Sequence, residues 1–113
     1  MAYVDGFLIP VPTANKEKYL AFSKKWMPMF KEWGALMIYE CWGDDVPKGE
    51  VTDFLRAVDL KEDETVVFSW SVWPDKATRD AAWAKLTEAP MDEIPFDGKR
   101  MIFGGFKPIL VLD

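Results

Sequence analysis

The nine residues TVVFSWSVW, 65–73, carry no charge on either side. Taken with a period of two, Val66, Phe68, Trp70 and Val72 form one face and Thr65, Val67, Ser69, Ser71 and Trp73 the other. A strand that is wet on one face alternates apolar with charged residues. This one does not, so both of its faces need cover, and that requirement constrains the fold more than any other feature.

Helices can cover one face. From Asn15 to Trp33 the residues Tyr19, Phe22, Trp26, Met29, Phe30 and Trp33 recur in steps of three and four, with Lys and Glu around the rest of the cylinder. Thr13 is placed to cap this helix and Gly34 to stop it. Pro28 predicts a kink or a division near Trp26 and Met27. The second helix runs over about 76–88. Asp75 caps it with Thr78 at the third position, Ala82, Trp83 and Leu86 form its buried side, and Pro90 ends it.

Three further segments read as strands: 2–11, closed by Pro10 and Pro12; 35–43, ALMIYECWG; and 100–112, RMIFGGFKPILVL, with Gly104 and Gly105 at a bulge or close approach. The run FLRAVDL, 54–60, reads as a short strand or turn between a polar loop at 43–53 and an acidic turn at 61–64. VDGFLIPV (4–11) and FGGFKPILV (103–111) echo each other, which suggests that the first and last strands are neighbours. The order β-α-β-(β)-β-α-β, with two helices on one face of an antiparallel sheet, is an α+β ferredoxin-like plait over a single domain, 1–113. The second uncharged face then calls for another copy of the chain, two sheets closing a barrel across a homodimer.

Composition removes whole classes of chemistry. The chain has no histidine and one cysteine, so Ser–His and Cys–His nucleophile pairs, histidine-ligated metal or haem, the usual zinc sites and an internal disulfide are all excluded. No metal and no cofactor is expected. A net charge of −5 argues against nucleic acid and against anionic membranes. No stretch has the roughly 20 apolar residues of a membrane span, and the first residues, with Asp5 and no basic region, do not read as a secretory signal. The cytoplasm is the expected location. Six Trp, eight Phe and three Tyr are a heavy aromatic load for 113 residues. Some of these rings are expected to line a second buried surface, a subunit interface or a ligand pocket.

Several segments together, YVDGF (3–7), YECWGDDVPKGEVTDF (39–54), ETVVFSW (64–70), RDA (79–81) and PFDGKRMIFGGF (95–106), resemble the YbaA-like proteins, domain-of-unknown-function family 1428. The resemblance spans nearly the whole chain. It implies membership in the dimeric α/β-barrel superfamily, whose members include cofactor-independent monooxygenases, haem-degrading enzymes, muconolactone isomerases and stress-responsive proteins. It implies a fold and a dimer without naming a reaction. Without histidine, haem degradation is the least suited of these.

Candidate site residues follow from residue chemistry. Trp26, Trp33 and Trp83 lie on helix faces that should meet the sheet, where an apolar pocket would have an indole N–H as its polar handle. Asp5 interrupts an apolar strand. It should either face solvent or pair with a base such as Lys99 or Arg100, and in an aromatic cavity it would be a candidate general base. Arg79, opening the second helix, could clamp a carboxylate. Lys99 and Arg100 could hold an anion against a backbone nest, although GKR matches no nucleotide template and FDGK reads more simply as a turn with Gly98 at positive φ. Cys41 reads as a buried inert thiol, Asp44 and Asp45 as loop-capping acids, and Ser69 and Ser71 as hydrogen-bonding residues inside the barrel.

The function expected from these features is binding of a small apolar or aromatic molecule by a homodimeric barrel. The alternative is a cofactor-independent monooxygenase- or isomerase-like enzyme on an aromatic or polyketide-like substrate.

Overall fold

The charge-free strand lies inside the sheet. In a computed structural model, which describes residues 2–89 and 93–113, it is Glu64–Trp73, here β3, and it pairs on both sides. The preceding elements are β1 (Tyr3–Pro12), a 3-10 turn (Thr13–Asn15), α1 (Lys16–Glu32), β2 (Met37–Trp42) and a one-turn helix α2 (Phe54–Ala57). After β3 come α3 (Lys76–Glu88) and β4 (Ile102–Phe106). The sheet order is β2-β3-β1-β4, antiparallel throughout, which is the plait expected from the element order. The first and last strands are neighbours, as their echo suggested. No described helix is long and apolar enough to cross a membrane.

Both long helices cover one face. Tyr19 of α1 packs with Ile9, Val11 and Val67, and Ala82 of α3 packs with Tyr3, Ala35 and Trp73. These strand residues all lie on the side that also carries Asp5, Ser69 and Ser71. The serine-bearing face of β3, the one expected to seek a partner, is therefore the covered one. Its small side chains leave space under the bulky α1 and α3 rings, whereas the Phe68–Trp70 face is already filled by its own rings.

The other face is open over its central rows, and its one charged strand residue, Glu64, stands at the far end opposite Pro12. Cross-strand rows run Gly104–Gly6–Trp70–Tyr39 and Ile102–Leu8–Phe68–Cys41. Tyr39 and Trp70 stack at 4.6 Å, and Phe54 of α2 leans on Phe68 at 6.1 Å. Phe68, Tyr39, Met37, Ile102 and Phe106 remain exposed there. Cys41, read as buried, sits half-buried on this face because its strand position is odd where the covered Glu40 and Trp42 are even.

Local chemistry explains the remaining differences. Helix α1 runs unbroken through Pro28. Thr13 is not its cap; the Thr13 hydroxyl bonds the Thr65 hydroxyl at 2.8 Å, and the 3-10 turn intervenes. The segment at 54–57 is helical because Asp53 caps it, accepting from the Arg56 N–H at 2.7 Å. Asp75 caps α3 as expected, accepting from the Thr78 N–H at 2.7 Å. Its expected stop, Pro90, lies outside the described residues.

Strand β4 ends at Phe106, and its register has no bulge. Residues 107–113, expected to continue the strand, carry no regular structure, since Pro108 cannot donate to the ladder. Ile109 is 100% exposed, Leu110 75%, Val111 69% and Leu112 85%. Gly105 is the close approach: a β-carbon there would strike the Tyr3 ring and stand 2.9 Å from Arg79 Nη2.

Candidate functional site

The small residues of β3 leave a cavity of about 200 Å³ between the sheet and the helices. Phe7, Ile9, Phe22, Phe30, Leu86 and Met101 supply much of its wall, with Trp26 and Trp83 among the rings. The polar groups on it are Tyr19, Glu40, Ser69, Ser71 and the two indoles. Glu40 is the only charged residue on the wall among the described residues.

Glu40 is held rather than loose. Oε2 accepts from the Tyr19 hydroxyl at 2.9 Å and from the Ser23 hydroxyl at 2.6 Å, both presented by the buried side of α1. Among the described residues no hydrogen bond falls on Oε1. Burial, reinforced by the Glu40 carboxylate, pushes the Tyr19 phenol well above its ordinary pKa, so it stays a neutral donor. Trp26 is buried, and its Nε1 has no acceptor among the described residues. An unmatched buried N–H costs about 1–3 kcal/mol, which a ligand acceptor would recover.

Asp5 lies beside this cavity, not on its wall. It is 1% exposed and pairs with Arg79, not with Lys99 or Arg100. Arg79 Nε donates to both carboxylate oxygens at 3.0 and 3.1 Å, and Nη2 stands 2.8 Å from Oδ1. Trp83 Nε1 donates to Oδ2 at 3.0 Å. The guanidinium lies against the Tyr3 and Trp83 rings, 5.3 and 5.2 Å from their centres. The hydrogen bonds to Asp5 hold the Arg79 guanidinium charged, its pKa raised. Trp83 thus bridges the ion pair and the cavity, stacked on Phe7 and Phe103.

Of the other sequence candidates, Trp33 is not on the cavity wall; it packs against Phe30 and the cluster around Trp73. Arg100 sits in an open groove of about 710 Å³ that shares Phe22, Trp26, Ile94 and Phe96 with the cavity and forms its approach. Its guanidinium is taken up by Glu64 at 2.6 and 2.8 Å, Asp97 at 2.8 Å and the Asp59 carbonyl at 2.9 Å. Pairing with Asp97 was among the expected options. Lys99 donates its backbone N–H to Asp97 at 3.1 Å, so Asp97 closes this turn and Gly98 needs no positive φ. No group of three or more potential metal ligands occurs among the described residues, Asp44 and Asp45 included.

Of the residues singled out from the sequence, Trp26 and Trp83 lie on the cavity wall and Asp5 and Arg79 pair beside it; Glu40, Tyr19 and Ser23 were not picked out as a unit. The signal was present: Glu40 alternates with Ile38 and Trp42, so an acid occupies a core-facing strand position, as Asp5 does.

Comparison with known proteins places this geometry among relatives. Residues 2–103 match the family model described as a protein of unknown function, DUF1428. The chain is 51% identical over 115 residues to the uncharacterised protein YbaA of Escherichia coli K12, covering 97% of this chain and 98% of that one. The YbaA protein of Shigella flexneri matches equally. Among solved structures, a dimeric ferredoxin-like protein from an uncultured marine organism superposes with a TM-score of 0.57 at 13% identity, covering 100% of this chain and 99% of that one. That likeness speaks for the fold alone.

Proposed function

The chain belongs to the DUF1428 family of proteins of unknown function, and on that premise we propose that it is a cytoplasmic homodimeric barrel protein that binds a small aromatic molecule between its sheet and helices. The observation that carries this reading is the ring-lined cavity with a fixed acceptor, Glu40, and a donor, Trp26 Nε1, unmatched among the described residues. A volume near 200 Å³ lies below the ~300–1,000 Å³ of drug-sized sites, so the ligand is small. It carries one donor for Glu40 Oε1 and one acceptor for Trp26, and no negative charge, because no cation stands on the described wall to offset a second anion beside Glu40. The Asp5–Arg79 pair holds Trp83 in place; Arg100 borders the approach rather than grips the ligand, and Lys99 lines neither the groove nor the cavity. The dimer forms through the open sheet face, whose central rows put no like charges in contact although each chain carries a net charge of −5, and the dimeric solved neighbour supports this.

A specific observation also favours the catalytic alternative, a cofactor-independent isomerase- or oxygenase-like enzyme. Glu40 faces the cavity with one oxygen fixed and one free, the arrangement of a positioned general base.

Binding is tested with 4-hydroxyacetophenone, which has the required donor and acceptor, by tryptophan fluorescence, together with native mass spectrometry of the freshly purified protein. Saturable quenching that Ser69→Leu abolishes by filling the cavity supports the reading. A linear response and no retained small molecule overturn it. If a turnover assay on a co-purified compound is found, Glu40→Gln should stop turnover and also weaken binding, since an amide N–H replaces the Oε1 acceptor; turnover that persists at saturating compound excludes Glu40 as the base.

A further inference from the structure

Two apolar features of the chain lie at opposite edges of the sheet, each without a partner among the described residues. One is the run Ile109–Leu112 beyond β4, almost wholly exposed. The other is a groove of about 810 Å³ along the outer edge of β2, walled by Leu20, Met27, Pro28, Leu36, Met37 and Ile38. Leu20, Leu36 and Met37 are exposed there, and β2 has no strand on its outer side. An unpaired strand edge beside an apolar groove is a template for an added strand.

We propose that residues 107–113 are an arm that crosses to a second copy of this chain and lies along its β2 edge, filling the groove between β2 and α1. The inference rests on the face-to-face homodimer proposed above. The sheet order puts the root of the arm at β4 and the groove at β2. A two-fold axis parallel to the strands places each β4 edge over the partner's β2 edge, so the arm reaches the partner's groove more directly than its own. Stacked sheets sit ~10 Å apart, and the three steps from Phe106 to Ile109 span ~10 Å when extended. Ile109–Leu112 then run beside the partner strand. Ile109 and Val111 favour extended backbone, and alternation turns them to one side and Leu110 and Leu112 to the other, so both sides are apolar. Charge agrees: Asp113 follows the run, and on the groove wall Lys24 and Lys31 outnumber the one acid, Glu40.

The test is sedimentation velocity of the full chain, wild type against Ile109→Asp/Val111→Asp and against Leu36→Lys, with circular dichroism to verify folding. The dimer dissociation constant should rise about tenfold or more in both variants, as loss of a central apolar contact does elsewhere. A dimeric wild type whose variants dissociate at the same concentration overturns the arm and leaves the dimer. A monomeric wild type overturns both. Should the arm variants misfold, Ile109→Cys paired with Met37→Cys, in a Cys41→Ser background, is oxidised instead. A covalent dimer supports the arm, and a disulfide within one chain or none overturns it.

Discussion

Asp5 and Arg79 are 74 positions apart and meet at 2.8 Å beneath α3, with the carboxylate also accepting from Trp83. Pairing makes a nearly inaccessible carboxylate tolerable on the first strand, and it fastens that strand to the last helix. Arg79→Met leaves the carboxylate with Trp83 alone and should cost about 3–5 kcal/mol, the usual loss on orphaning a buried charge. Asp5→Leu/Arg79→Met should cost less than Arg79→Met alone. Urea unfolding of the two variants decides this.

Adjacent glycines should behave differently. Gly105→Ala forces a methyl against Tyr3 and Arg79 and should destabilise by about 1–3 kcal/mol. At Gly104 the nearest atoms to a new methyl belong to the Phe106 ring, 3.5 and 3.6 Å away, and the change should stay within about 0.5 kcal/mol. Thermal melts of the two variants, compared at equal concentration, give the contrast.

Acid sensitivity should trace to Arg100. Its hydrogen bonds hold the Glu64 carboxyl below the usual value of 4.5, and Asp97 is lowered by the same guanidinium. A carboxylate with a lowered folded pKa contributes its full stabilisation above the unfolded pKa and loses it as pH falls through the folded value. Stability measured by urea at stepped pH should therefore drop from about 4.5 downward, and Arg100→Gln should flatten that drop. An identical slope in the variant would place the acid response elsewhere.

Cys41 reports on the open face. It stands opposite Phe68 and is half-buried in the single chain. Thiol labelling should be slow at concentrations that favour the dimer and should accelerate on dilution. A rate independent of concentration would mean that this face stays open.

The plait was legible because helical stripes and strand alternation are local: Tyr19 through Trp33, and Asp75 with Thr78, carry their structure in their spacing. Which face of β3 meets the helices was not. Both are uncharged, and the outcome depends on volume: Ser69 and Ser71 fit beneath the large rings of α1 and α3. The partner of Asp5 was equally hidden, because Arg79 reaches it only after α3 folds across the sheet, whereas the Arg100 guanidinium is drawn off by Asp97 and Glu64. The Glu40–Tyr19–Ser23 unit joins a strand to a helix, and no sequence spacing records that contact. At 54–57 the Asp53 cap outweighed the strand-like composition.

The row Gly104–Gly6–Trp70–Tyr39 has a relief: two positions without side chains, over which the Phe106 ring leans, followed by two stacked rings. In the proposed homodimer, a two-fold axis parallel to the strands would invert the row and set each protomer's Trp70 and Tyr39 rings against the other's Gly6, Gly104 and Phe106. The same four residues that leave the monomer uneven would thus dictate the alignment of the pair, with no charged group needed to steer it.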